Sequence, residues 1–245
     1  MNKIEIVNFN FDEIYEVVRN NVLVCRTEDR VVPSDGYNCN FKISDVPSAL
    51  KYGLLTKRER IKKFEGRTLT KKEEYIFSDP CCVNGADAIS LSSLNVDFSR
   101  MYRDEDWYDP STGISANLVI SNKVGASQTT TNYFNEFLSF KSILPEFIEA
   151  VDCRILRIKD VDNFVIKSDE ERINVLLEQY EGIRSIAGVM LELGLNIPLR
   201  EVSTWKIDEI KQGEFMESVK ECQDGFITLD PIKIVDMPKI MVKQL

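Results

Sequence analysis

The chain has no histidine among its 245 residues. That absence removes the commonest general base and metal ligand, and every Ser-His or Cys-His nucleophile system. Its six cysteines (Cys25, Cys39, Cys81, Cys82, Cys153 and Cys222) form no C-x-x-C pair, so they mark neither a zinc site nor a dithiol redox motif. Free, mostly buried thiols in a reducing compartment are the expectation. Neither G-x-G-x-x-G nor a P-loop is present. No apolar run approaches the roughly 20 residues that cross a bilayer. Met1 to Ile6 lacks the apolar centre of a signal peptide. A cytoplasmic location, no membrane partner and no metal are therefore expected. Carboxylates, hydroxyls, amides, Arg, Lys and Tyr are left to do any chemistry.

What is present is ordinary for a globular protein: 43% hydrophobic and 29% charged residues. The length suits one large domain or two small ones. The net charge of −9 argues against a dedicated nucleic-acid surface. One segment runs the other way. Lys57, Arg58, Arg60, Lys62, Lys63, Arg67, Lys71 and Lys72 sit among only Glu59 and Glu65. It reads first as a solvated helix face, and second as a patch for a phosphate-bearing partner.

Hydrophobic period places the elements. Residues 3–8 read as a short strand. Apolar positions 11, 14, 15, 17 and 18 suit an amphipathic helix over 11–20. Val22-Leu23-Val24-Cys25 is β-branched and reads as a buried strand, followed by a polar loop over 27–40. Ser44, Pro47 and Gly53 punctuate a helix. Helices are predicted over 57–64, 71–77 and 98–106. Strands are predicted over 88–93 and 114–121, with a polar loop over 122–131. A short helix from Ser142 and Pro145 to Ala150 and a strand over 153–158 follow. Beyond Lys159 come a long helix over 168–193, a helical region over 201–220, and strands over 225–229 and 232–235. Strand and helix do not alternate regularly, so the class is α+β rather than parallel α/β.

One carboxylate stands out. Glu136 lies inside the strand Asn132–Ser139, among Tyr133, Phe134, Phe137 and Leu138. A charge so placed is costly unless it is paired or used. Two more segments accompany it: Ala49-Leu50-Lys51-Tyr52-Gly53-Leu54-Leu55 and Ile89-Ser90-Leu91-Ser92. Asn135-Glu136 is followed by Ile143-Leu144-Pro145-Glu146-Phe147-Ile148. In that order the three resemble the ADP-ribosyltransferase fold, and within it the DarT-type toxins and other phage-defence or toxin–antitoxin members. The resemblance covers roughly residues 20–158.

The resemblance implies a split mixed β-sandwich with peripheral helices over 1–159, and a mainly helical C-terminal extension over 160–245. It implies an NAD-dependent transferase that breaks the nicotinamide–ribose bond. The acceptor would be a nucleic acid or a protein, and a neutralising antitoxin a further partner. Glu136 would be the catalytic carboxylate, facing an oxocarbenium-like transition state. Ser90 and Ser92 would support the nicotinamide pocket. The anchor on the first strand would be Arg26, by strand character, or Asn38 or Asn40, by alignment through the Gly53 helix. Tyr102 would offer a ring to stack on nicotinamide or on an acceptor base. Phe134 stands where arginine-modifying members carry Glu or Gln, which points away from an arginine acceptor. Two other readings compete: a hydrolase pairing Glu136 with Asp87, and a non-catalytic interaction protein on the same fold.

Overall fold

The computed structural model describes residues 3–7, 10–27, 36–77, 87–93, 108–109, 113–128, 136–153, 168–202 and 226–243. Strand β1 (Lys3–Ile6) leads to helix α1 (Phe11–Leu23), whose start is capped by the Asn10 side chain accepting from the Asp12 N–H. Strand β2 (Gly36–Lys42), α2 (Val46–Tyr52), α3 (Lys57–Glu65) and α4 (Lys71–Phe77) follow. Next come β3 (Ile89–Ser93), β4 (Tyr108–Asp109), β5 (Gly113–Ser121), β6 (Ser127–Gln128), β7 (Glu136–Ser139) and β8 (Ile148–Cys153). The long helix α5 (Asp169–Leu193), β9 (Leu199–Val202), β10 (Phe226–Leu229), α6 (Pro231–Asp236) and β11 (Lys239–Val242) complete the described elements.

The α+β class is what the structure has. Among the described residues, eight strands pair in one path, β10-β9-β8-β5-β2-β3-β7-β6, and β4 pairs with β5 at its side. Only β8 and β9 run parallel within it. A separate parallel pair joins β1 to β11. In place of the expected split sandwich, the described residues form one continuous hydrogen-bonded path and one small parallel pair, with no second large sheet among them.

One face of this sheet is the core. Ala116, Leu118 and Ile120 of β5, Val151 of β8, Leu199 of β9 and Leu229 of β10 join a single apolar cluster. Phe11, Ile14, Val18 and Val22 of α1 enter it from above, as do Leu176, Tyr180, Ile183, Ala187 and Met190 of α5. Spacings of three and four put each set on one helical stripe. The expected boundary at residue 159 does not divide this core. The later chain supplies α5 to the cluster, β9 and β10 to the sheet, and β11 to β1.

Several local expectations are corrected. Val22 and Leu23 end helix α1, and Val24 and Cys25 form its closing turn, because positions 11, 14, 15, 18 and 22 continue one buried stripe. Residues 36–40, expected as loop, begin β2. Residues 145–147 make only a single 3-10 turn, and 148–153 is strand, one element earlier than expected. The 122–131 loop contains a 3-10 turn and β6. Residues 199–202 are strand where helix is expected to begin. Residues 231–236 are helix, with Asp230 accepting from the Ile232 N–H and Pro231 in the first turn. The expected helix at 98–106, and residues 203–220 and 154–158, lie outside the described residues.

Gly53 clips α2 to the chain that leaves β7. It adopts φ +77°, and an added Cβ would fall 2.1 Å from the Ile143 carbonyl oxygen. That approach lets Leu54 and Ile143 exchange two backbone hydrogen bonds, each 2.8 Å. Gly53→Ala should therefore cost about 2 kcal/mol in a urea melt. An unchanged midpoint would mean that the clip adds nothing.

Candidate active site

Three strands carry the candidate residues, and they are neighbours. In the β2–β3 pairing Asn38 lies opposite Ser92. In the β3–β7 pairing Ser92 lies opposite Glu136, and Ser90 opposite Leu138. Positions 38, 92 and 136 therefore form one row across adjacent strands. Residues directly opposite share a face. Two steps of strand spacing put position 136 about 10 Å from position 38. Ser90 and Asn40 occupy the same face, two residues along their strands.

The row has a rigid back. On the opposite face, Tyr37 of β2 meets Phe137 of β7 across β3, with ring centroids 5.2 Å apart. Leu91 is buried in the core cluster beneath them. The alternation Ile89-Ser90-Leu91-Ser92 thus puts apolar side chains into the core and hydroxyls on the site face.

Asn38 is the buried end of the row, 5% exposed, and its Oδ1 accepts no hydrogen bond. Ser90 and Ser92 are half-buried, and Asn40 is exposed. Burial pushes the thiol of Cys39, between the two asparagines, up to about 12. It stays protonated at neutral pH and serves as packing, not as a nucleophile. Cys153 is raised further by burial.

Arg26 is elsewhere. It follows the end of α1 and bridges to Leu229 of β10, the edge of the sheet remote from β7. Its Nε and Nη2 each donate to Glu201 at 2.7 Å, a bidentate pair with a buried carboxylate. Of the anchors weighed on the sequence, the structure sets Asn38 in the row, with Asn40 on the same face, and separates Arg26 from it. The strand character that favoured Arg26 was the end of α1. Tyr102 lies outside the described residues.

Asp87, the second carboxylate of the hydrolase reading, precedes β3. Arg58 donates to it at 2.6 and 3.0 Å and to Glu74 at 2.6 and 3.1 Å. Those bonds hold the Asp87 carboxyl below its ordinary range. A general acid needs the opposite shift. The basic segment is partly neutralised in the same way. Arg67 binds Glu65 and Glu73, and Lys63 lies 4.2 Å over the Tyr52 ring.

Arg67, with help from Thr70, holds the Glu73 carboxyl at about 2, against 4.5 ordinarily. A lowered folded value makes a contribution that is complete above 4.5 and fades as pH falls towards about 2. Protection of the α4 amides, relative to intrinsic exchange, should fall over that window, and Arg67→Ala should weaken the pH dependence, leaving the part due to Thr70. Protection that is flat across the window would contradict the clasp. Arg67 is exposed and Glu73 half-buried at the surface, so the global melt should hardly move.

A second polar row, not evident from the sequence, lies on the same face. Asn40 lies opposite Asn117, Asn117 opposite Asp152, Asp152 opposite Arg200 and Arg200 opposite Thr228. Arg200 Nε and Nη2 donate to the two Asp152 oxygens at 2.6 and 2.8 Å, with both side chains buried. Asn117 was legible as the one amide within the apolar run Ala116–Ile120. Among the described residues, no cluster of three Cys, Asp or Glu could hold a metal ion, and no helix is long and apolar enough to cross a membrane. No protein-family model and no curated protein sequence match the chain.

Proposed function

We propose that this chain is an NAD-dependent mono-ADP-ribosyltransferase of the toxin or antiviral-defence type. One observation carries the reading. Ser92 and Glu136, from two of the three motifs that resemble that family, lie in a single row on adjacent strands with Asn38, one of the alternative anchors. Nothing in their sequence spacing required it.

NAD is the substrate. In the proposed reaction the bond between ribose C1′ and the nicotinamide nitrogen breaks, and nicotinamide leaves with the bonding pair. The ribose becomes oxocarbenium-like. The Glu136 carboxylate opposes that charge and holds a ribose hydroxyl. Ser90 and Ser92 order the leaving-group side of the cleft, while Asn38, among Arg26, Asn38 and Asn40, takes the anchoring role. The acceptor nucleophile, on a nucleic acid or a protein, then bonds to C1′ and loses a proton. A toxic activity of this kind calls for a neutralising partner protein.

An amide can orient a ribose or a carboxamide, but it brings no positive charge to a pyrophosphate. Asn38 in the anchor position therefore implies weak holding of the phosphates from this strand. The unpaired Asn38 Oδ1 fits a ligand that brings a donor.

The test is nicotinamide release from NAD by the full chain, with transfer of labelled ADP-ribose scored on single-stranded DNA, RNA and a protein mixture. Release above the uncatalysed rate, with label on one acceptor class, is the expected result. No release with any acceptor would favour the non-catalytic interaction protein.

A further inference from the structure

Asn117 is 1% exposed, and neither its Oδ1 nor its Nδ2 has a hydrogen-bond partner. Buried amides are nearly always satisfied, so an orphan on both atoms calls for a reason. The surroundings make it sharper. Asn117 sits opposite Asp152 on one side and Asn40 on the other, yet it bonds to neither. Asn is also a poor strand former, and its neighbours Ala116, Leu118, Val119 and Ile120 are all apolar and buried. A valine here would suit the strand better and leave nothing unmet.

A second orphan lies beside it. Asn38 pairs with Val119, two residues from Asn117 on the same strand and the same face. The two buried amides are thus diagonal neighbours, about 7 Å apart at the backbone. Exposed Asn40 lies directly across from Asn117, and half-buried Ser90 and Ser92 flank Asn38. Buried, unsatisfied amides and more accessible polar groups thus share one face of the sheet.

We propose that Asn117 and Asn38 are the floor of a ligand pocket that reads a planar edge presenting a hydrogen-bond donor beside an acceptor. Asn117 offers one donor group and one acceptor, and Asn38 a further acceptor. A carboxamide or an aminopurine edge meets that set, and NAD carries both: nicotinamide at one end and adenine at the other. The inference rests on the transferase reading and adds to it a specificity-determining residue on β5, a strand that none of the three sequence motifs touches.

The experiment is calorimetric titration of wild type, Asn117→Leu and Asn117→Asp with NAD, nicotinamide and ADP-ribose, alongside apo melting curves. Leucine keeps the shape and removes both polar groups. Aspartate keeps the shape, removes the donors and adds a carboxyl opposite Asp152. The expected result is a loss of about 10- to 100-fold in NAD affinity in both variants. Apo Asn117→Leu should melt no lower than wild type, because it deletes two unmet groups. Loss confined to NAD and nicotinamide identifies the carboxamide. Loss confined to NAD and ADP-ribose identifies the adenine. Wild-type affinity for all three ligands in the variants, with lower melting, would overturn the pocket and leave a structural water as the role of Asn117. It would leave the transferase reading standing. A wild type that binds none of the three ligands would end both. Should Asn117→Leu fail to fold, Asn117→Asp with unchanged affinity overturns the proposal by itself, and with reduced affinity and a wild-type melting curve supports it.

Discussion

Glu136→Gln should lower nicotinamide release by about 10²- to 10³-fold while NAD still binds. The replacement keeps the side-chain shape and removes only the negative charge. In the ground state NAD carries its positive charge on the pyridinium ring. At the transition state that charge has moved to the ribose, where a fixed carboxylate acts on it. The loss should therefore fall on kcat far more than on KM. Stability should stay within ~0.5 kcal/mol of wild type in a urea melt. Equal fall in kcat and in binding would make Glu136 an ordinary contact. Undiminished release would remove it from the chemistry.

The second large effect concerns stability. Asp152→Ala should cost about 3–5 kcal/mol, because it leaves the buried Arg200 guanidinium without its carboxylate. Arg200→Met should cost a similar amount from the other side. The pair joins β8 to β9, where the chain beyond residue 159 enters the sheet. Replacing both by apolar residues of similar volume should recover most of the loss, since neither charge then remains buried alone. Denaturant midpoints of the two single variants and the double variant complete the cycle. Additive losses would show that the pair is not coupled.

Helical punctuation was readable in the sequence wherever cap chemistry was strong. Pro47 and Gly53 bounded α2 as expected, though Asp45 rather than Ser44 is its N-cap, and Ser168 and Gly194 bound α5 as its caps. The strands Ile89–Ser93 and Phe226–Leu229 followed from alternation and β-branching. Errors arose where local propensity and tertiary context disagreed. Val22-Leu23-Val24-Cys25 has strand composition, but Val18 and Val22 belong to the buried stripe of α1, and the Cys25 Sγ donates to Asn21 O as part of its last turn. Residues 36–40 looked like part of a loop because Asn38, Asn40 and Gly36 are poor strand formers. Gly36–Lys42 is nevertheless an interior strand, held by β3 on one side and β5 on the other. Ile232–Val235 looked like a strand although Asp230-Pro231 already spelled a helix start.

The candidate site was legible to a similar degree. Glu136 stood out as a charge within an apolar strand, the resemblance pointed to Ser90 and Ser92, and Asn38 and Asn40 stood beside Arg26 as alternative anchors. Their register could not be read, because cross-strand pairing depends on which strands become neighbours. Asn117 and the Asp152–Arg200 pair escaped for the same reason: each is unusual only once its strand is known to be buried on both faces.

The most direct test is a structure of Glu136→Gln with NAD bound at millimolar concentration. The nicotinamide ribose should lie within hydrogen-bonding reach of residue 136, with the nicotinamide ring beside Ser90 and Ser92 and the face bearing Asn38 beneath it. NAD bound at any other surface of the protein, or no NAD bound at all, would contradict the assignment.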